Sequence, residues 1–139
     1  MTTSVEKFED LLKRNGFSIT RQRLLIFDLL TGAEPISMNE LIKYAGEKLD
    51  KVSVYRTVAA FEKIGIVQRL NTGWKYKIEL TDKFNDHHHH LTCVKCHKII
   101  SINAHDLENF IEQVSKLNDF KPSEHQVEIQ GFCKQCSQL

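Results

Sequence analysis

The sequence predicts an α+β protein with a helical N-terminal part that ends in a β-hairpin and a small α/β C-terminal part. Segments with helical spacing of apolar residues fill the first 65 residues, and two strand-like segments follow them. All seven histidines and all four cysteines lie in the last 53 residues. The two parts therefore differ in chemistry as well as in secondary structure.

Four helices are predicted in the first part from residues that favour helix ends. In chain order these are Asn15-Gly16 after the first helix, Thr20 before the second, Gly32 and Pro35 after it, Ser37 and Glu40 as a capping box for the third, and Ser53 and Gly65 at the two ends of the fourth.

The fourth helix has two chemically different faces. Its apolar face, which we expect to be buried, consists of Val54, Val58, Phe61 and Ile64. Its opposite face consists of Tyr55, Arg56, Ala59 and Lys63. Arginine on an exposed helix reads guanine edges or binds phosphate, and alanine permits close approach to a groove. From these residues alone, an ordinary solvated face is the alternative.

A hairpin is predicted after the fourth helix. Its strands are Ile66–Leu70 and Trp74–Leu80, and its loop is Asn71-Thr72-Gly73. Alternation places Trp74, Tyr76, Ile78 and Leu80 on one side and Lys75, Lys77 and Glu79 on the other. Helices followed by a hairpin form the order of a winged helix-turn-helix, and the two lysines suit backbone phosphates. Together these features favour DNA binding.

Two CxxC motifs, Cys93–Cys96 and Cys133–Cys136, lie in the second part. Four thiolates in two such pairs suit tetrahedral zinc, because each tight turn directs two sulfurs to one point. A redox dithiol and two disulfides are the alternatives. No signal segment and no apolar run near 18 residues is apparent, so we expect a cytoplasmic protein without a membrane partner, a setting that favours structural zinc.

The run His87-His88-His89-His90 is a second candidate metal-binding feature. If the segment is extended, alternation sends His87 and His89 to one face and His88 and His90 to the other. One run of four histidines would then supply two different metal sites. A fortuitous surface tract is the alternative.

The remaining residues complete a small α/β unit. Ile99–Ile102 is strand-like, Val127 and Ile129 alternate in a last strand, and Asp106 or Asn103 is expected to cap an intervening helix. That helix carries an apolar stripe, which we expect to be core: Leu107, Phe110, Ile111, Val114 and Leu117. A second copy commonly covers the apolar edges of so small a unit, so dimerisation is expected.

The whole chain resembles the ferric uptake regulator (Fur) family of metal-dependent bacterial repressors. The resemblance runs from Gly16–Arg23 through Val52–Val58 to His87–Leu91 and both CxxC motifs. It implies a winged-helix DNA-binding domain (residues 1–80), a hinge (81–86) and a metal-binding α/β dimerisation domain (87–139) with structural zinc. It also implies a homodimer that binds AT-rich palindromic operators in double-stranded DNA when a regulatory metal is present.

The family's functional residues match positions of this chain. The structural zinc site matches Cys93, Cys96, Cys133 and Cys136. An internal regulatory metal site matches His87, His89, Glu108 and His125, and a hinge metal site matches Glu79, His88 and His90. Tyr55 and Arg56 are predicted to contact bases or sugars, and the residues predicted to contribute to the DNA surface around them are Lys63, Lys13, Arg23, Lys75 and Lys77.

The hinge site departs from the family pattern at two positions. The Glu34-Pro35 region stands where a histidine is expected, and Ser101 stands where an acidic residue is expected. These departures argue against peroxide sensing and weaken iron sensing. Imidazole-rich ligand sets favour Zn²⁺ as the co-repressor, with Fe²⁺ or Mn²⁺ as alternatives.

Two other function classes are alternatives for a sequence with these metal-binding motifs. A metal-storage or metal-chaperone protein would bind metal without needing the winged-helix half. A zinc-dependent enzyme would need an open coordination position and a general base, and no HExxH or similar motif is present.

Overall fold

The computed structural model of the protein describes residues 3–72 and 75–138. The chain separates into two compact units, residues 1–86 and residues 87–139. Within the described ranges, no helix is both long and apolar enough to cross a membrane.

The first unit begins with three helices, α1 (Ser4–Arg14), α2 (Arg21–Leu30) and α3 (Met38–Ala45). Thr20 caps α2 and Ser37 caps α3, as predicted, each by accepting a hydrogen bond from the backbone N–H three residues later. Only the Ser37 half of the predicted capping box is found at α3. A complete capping box occurs instead at α1, between Thr3 and Glu6.

Helix α4 (Lys51–Lys63) follows a short 3-10 turn over Gly46–Lys48 and begins two residues before the predicted start. The earlier start is due to Asp50, whose carboxylate accepts the N–H of Ser53 at 2.8 Å. Hydrogen bonding to the side chain and then to the backbone N–H of Ser53 lowers the pKa of Asp50. After α4, Gly65 adopts a φ of +83°, which turns the chain into the hairpin.

The hairpin consists of β1 (Val67–Asn71) and β2 (Tyr76–Leu80), paired antiparallel with Val67 opposite Leu80. Relative to the prediction, β1 is shifted by one residue and includes Asn71, and β2 begins later, at Tyr76. The loop residue Gly73 and the first predicted strand residue, Trp74, lie outside the described residues. A bridge between Ile36 and Ile78 adds a third short segment to the hairpin.

Three phenylalanines form the centre of the first unit. The ring of Phe8 stacks on Phe27, with centroids 4.2 Å apart, and meets Phe61 edge-on at 5.3 Å. The predicted apolar face of α4 is buried against them, with Ile64 half-buried at its end. This burial orients α4 so that its other face is exposed.

Residues 81–86, the predicted hinge, are grouped with the first unit. Phe84 packs edge-on against Phe27, with centroids 5.1 Å apart. The side-chain amide of Asn85 donates to the carbonyl oxygen of Leu80 at 3.0 Å. The assignment of this segment as a hinge stays a prediction.

The second unit is a three-stranded sheet with two helices. Strand β3 (His89–Cys93) is central, antiparallel to β4 (Ile99–Ile102) and parallel to β5 (Glu128–Gly131). Helix α5 (His105–Leu117) connects β4 to the segment before β5, and the short helix α6 (Lys134–Ser137) begins directly after Cys133 and contains Cys136. The predicted strand over residues 99–102 is confirmed.

Two predictions for α5 are wrong. The residue at its N-cap is Ala104, which makes no side-chain capping bond, rather than Asn103 or Asp106. The apolar stripe is not core within one chain, because Phe110 and Leu117 are 62% and 83% exposed. A periodic stripe identifies a face that favours burial but does not say whether the covering surface belongs to the same chain.

Candidate metal centres and DNA-binding surface

The four cysteines converge on one point. Cys93 ends β3 and is buried, Cys96 follows in the turn, and Cys133 and Cys136 lie at the start of α6. Their sulfurs all lie within 4.8 Å of one another, and no disulfide joins them. The Sγ atoms of Cys96 and Cys133 are 3.7 Å apart. A tetrahedral zinc site with Zn–S bonds of about 2.3 Å has S···S edges of about 3.8 Å, so the arrangement is compatible with structural zinc.

The thiols of this cluster differ in acidity. Backbone N–H groups of Cys96 and Cys133 stabilise a thiolate at Cys93 and lower its pKa to about 5. The N–H of Cys136 lowers the pKa of Cys133 in the same way. The adjacent sulfur of Cys133 raises the pKa of Cys136 to about 12. Four thiolates therefore require a bound cation to coexist at this distance.

A second convergent cluster consists of His87, His89, Glu108 and His125. Their ligand atoms also lie within 4.8 Å of one another, although the residues come from the β3 segment, α5 and the loop before β5. The Nε2 atoms of His87 and His125 are 3.0 Å apart, and His87 Nε2 lies 3.4 Å from Glu108 Oε1. Ligands about 2.0 Å from a tetrahedral ion are roughly 3.3 Å apart, so these residues fit a divalent metal.

Glu108 is the anionic member of this cluster. Burial by itself would raise its pKa, but the hydrogen bond from His89 and the interactions with His125 and His87 lower the pKa overall. Glu108 Oε2 is 2.6 Å from His125 Nε2. The carboxylate is therefore ionised and available to a cation.

The other two histidines of the run form a separate pair. The rings of His88 and His90 are 4.8 Å apart between centroids and meet edge-on. His90 is buried in β3, opposite Ser101 of β4, so the serine noted in the sequence is its strand partner. In the first unit, Glu79 is buried in β2 and accepts a hydrogen bond from Gln68 at 2.9 Å. The hinge metal site stays a prediction.

The exposed face of α4 is the candidate DNA-binding surface. Tyr55 is 41% exposed, and Arg56, Ala59 and Lys63 are exposed beside it. Lys13 and Lys75 are also exposed, and Lys77 is half-buried on β2. The burial pattern of α4 thus agrees with the face expected from the sequence, whereas the contacts of these residues with DNA stay predictions.

Arg23 has a structural role that the sequence did not indicate. Its guanidinium donates to the carbonyl and hydroxyl oxygens of Ser18, at 2.6 and 3.1 Å, and lies over the ring of Phe17. These contacts hold the loop before α2. If Arg23 also contacts a DNA phosphate, its guanidinium must donate to that phosphate and to Ser18 at the same time.

Sequence reasoning missed two residues of these sites. Asp50, which sets the start of α4, precedes Ser53 by the spacing of an N-cap, so the signal was present. Val127, whose backbone N–H donates to His89 Nδ1 at 3.1 Å, gave no signal, because backbone contacts of this kind depend on strand pairing.

A winged-helix unit joined to a small α/β unit with a four-cysteine centre and a histidine-rich cluster defines a metal-binding transcription regulator. The model of the ferric uptake regulator family matches residues 14–130, and the chain belongs to that family. Its members are transcription regulators and not enzymes.

Named relatives span different signals. The chain is 28% identical to the ferric uptake regulation protein of Neisseria meningitidis, over 95% of this chain and 96% of that protein. It is 30% identical to the peroxide-responsive repressor PerR of Staphylococcus epidermidis, over 91% and 86%. The solved ferric uptake regulator of Vibrio cholerae is similar in fold, with a TM-score of 0.73, 29% identity and coverage of 91% and 99%.

Cys96→Ser is expected to remove one equivalent of tightly bound zinc and to lower the unfolding temperature of the purified protein, because a closed structural site contributes directly to folding. Zinc content by elemental analysis and thermal unfolding by circular dichroism measure both effects. Lys95→Ala, an exposed change inside the same turn, is the control and should alter neither. Unchanged zinc content in the serine variant would refute the assignment.

Proposed function

We propose that this member of the family is a cytoplasmic, homodimeric repressor that binds palindromic AT-rich operators when a regulatory metal, most favourably zinc, is bound. Its targets would be genes of zinc or iron homeostasis. The observation that carries the proposal is the cluster of His87, His89, Glu108 and His125, which fits a divalent ion and is separate from the four-cysteine centre.

The donor set supports zinc over the other candidates. The cluster offers imidazole nitrogens and one carboxylate, and at equilibrium such ligands hold Zn²⁺ more tightly than Fe²⁺ or Mn²⁺. The names of the relatives do not select the metal, because they include both a ferric uptake regulator and a peroxide-responsive repressor.

The proposed mechanism is linkage between metal and DNA. The sequence run His87–His90 begins at the boundary of the two units. It contributes His87 and His89 to the internal cluster, and the pair His88 and His90 belongs to the predicted hinge set. A regulatory metal at these residues would favour the orientation in which the two α4 helices of a dimer are about one helical turn, roughly 34 Å, apart along DNA. DNA must then tighten metal binding by the same factor.

Addition of zinc to protein whose labile metal has been removed is expected to raise operator affinity by about 5- to 150-fold, the usual range of such coupling. Fluorescence anisotropy with a labelled palindromic duplex measures the change. Combined His88→Ala and His90→Ala substitutions should abolish it, and His105→Ala, which removes an exposed imidazole from α5, should not. Equal affinity of the wild type with and without metal would contradict the proposal.

Arg56→Ala is expected to weaken operator binding by about 1–3 kcal/mol, the value of a good bidentate base contact. Arg56→Lys keeps the charge but loses the planar fork, so it should also weaken binding and relax base preference. Lys43→Ala, an exposed change on α3, is the control. If the wild type and Arg56→Lys bound every duplex sequence with equal affinity, Arg56 would contact only phosphate and would not read bases.

The exposed apolar residues of the second unit support the homodimer. Besides Phe110 and Leu117 of α5, Ile129 of β5 and Phe132 are 53% and 62% exposed. A unit of this size rarely leaves so much apolar side chain in water unless another surface covers it.

Phe110→Asp is expected to convert the dimer to a monomer, because it places a charge in the surface that the second copy would cover. Light scattering coupled to gel filtration measures the molecular mass. Asn109→Asp adds the same charge at the exposed neighbouring position of α5 and should leave the dimer intact. A wild-type protein that is monomeric at micromolar concentration would exclude the homodimer.

A further inference from the structure

His89, a residue of the internal cluster, has a partner within the second unit at each of its two ring nitrogens. The side chain is only 1% exposed. Its Nδ1 lies 3.1 Å from the backbone nitrogen of Val127, and its Nε2 lies 2.5 Å from Glu108 Oε1. A buried imidazole with two such partners has a defined tautomer.

The direction of the first hydrogen bond is fixed by chemistry. A backbone amide nitrogen carries one hydrogen and is not an acceptor, so Val127 must donate and His89 Nδ1 must accept. A neutral imidazole has one acceptor nitrogen and one N–H. The proton of His89 therefore resides on Nε2, where it is donated to the Glu108 carboxylate. Turning the ring over would place carbon atoms at both partners and lose both bonds.

The Val127 amide is held in place by the sheet. The N–H of His90 donates to the carbonyl oxygen of Val127 at 3.3 Å, next to the parallel pair of His90 and Glu128. Because β3 and β5 are joined by this ladder, the N–H of Val127 cannot turn away from His89 without disturbing the strand pairing.

These contacts conflict with metal binding by His89. A histidine that binds metal through one nitrogen almost always donates the N–H of the other to an acceptor. Here the other nitrogen faces a donor, so metal binding at Nε2 would require a doubly deprotonated ring or the loss of the Val127 bond. A neutral imidazole has a single nitrogen lone pair, and Val127 already occupies it.

We propose that His89 is a positioning residue and not a ligand of the internal metal. Its Nε2–H holds Glu108 in the orientation in which the carboxylate joins His87 and His125 as the protein ligands. This inference rests on the proposed function, in which the cluster binds a labile divalent ion. Among the described residues of the cluster, His87, Glu108 and His125 would then hold the ion. A set of three protein ligands would suit an exchangeable, sensed metal better than a closed four-ligand site would.

The state of each histidine nitrogen can be read directly by long-range ¹H–¹⁵N spectra of histidine-labelled full-length protein. The four-cysteine centre is kept loaded, and ZnCl₂ is added to the second site. The signals of His89 are assigned from their loss in His89→Gln. We expect zinc to shift the nitrogens of His87 and His125 to metal-bound positions, while His89 keeps its proton on Nε2 and none on Nδ1.

Zinc affinity of three variants gives an independent readout. His89→Gln retains an N–H donor toward Glu108 and is expected to keep zinc affinity within about threefold, whereas His89→Ala should lose about 10- to 100-fold, the usual cost of removing such an orienting partner. His125→Gln, the matched control that removes a proposed ligand, should lose more than His89→Ala.

The outcomes separate the two proposals. A metal-bound Nε2 at His89, or a loss in His89→Gln as large as that in His125→Gln, would overturn the positioning role and leave the metal-responsive function standing. Absence of any zinc-dependent change at His87 and His125 would overturn the positioning role together with the internal regulatory site.

Discussion

Strand β3, together with the two residues before it, determines where many of the candidate ligands of the second unit lie. Because side chains of a strand alternate between faces, four consecutive histidines cannot share one site, and they separate into two pairs. The same strand ends at Cys93, which belongs to the four-cysteine centre. One short segment thus contributes ligands to each candidate metal site found among the described residues of the unit, and its pairing with β4 and β5 fixes the position of those ligands.

The second unit depends on groups outside its own apolar core. Its sheet has three strands, and the described residues of α5 include none that is fully buried. A unit of this size buries a smaller fraction of its surface than a larger domain does, so cross-links can contribute a large part of its stability. The four cysteines lie at the end of the central strand and at the last helix, so an ion bound there would link these two parts of the unit and stabilise the fold. In the first unit, by contrast, a stacked and edge-on set of phenylalanines provides an ordinary core.

Much of this arrangement follows from local patterns in the sequence. The faces of α4, the caps at Thr20 and Ser37, and the strand over residues 99–102 were predicted because spacing and capping depend on neighbouring residues. The exposure of the apolar stripe of α5 was not predicted, because the periodicity of apolar residues does not show which surface covers them. The tautomer of His89 was equally inaccessible, because its partner Val127 is 38 residues away and acts through its backbone.

The register of β3 also restricts how the histidine run can change over evolutionary time. A substitution in the run alters one face of the strand and leaves the opposite face as it was. Loss or gain of a single residue in the histidine run would move each following side chain to the opposite face of the strand. Imidazoles that now contact Glu108 would then point away from it. Length polymorphism in this tract should therefore be tolerated far less than amino-acid replacement, and chains that do vary in length should vary by two.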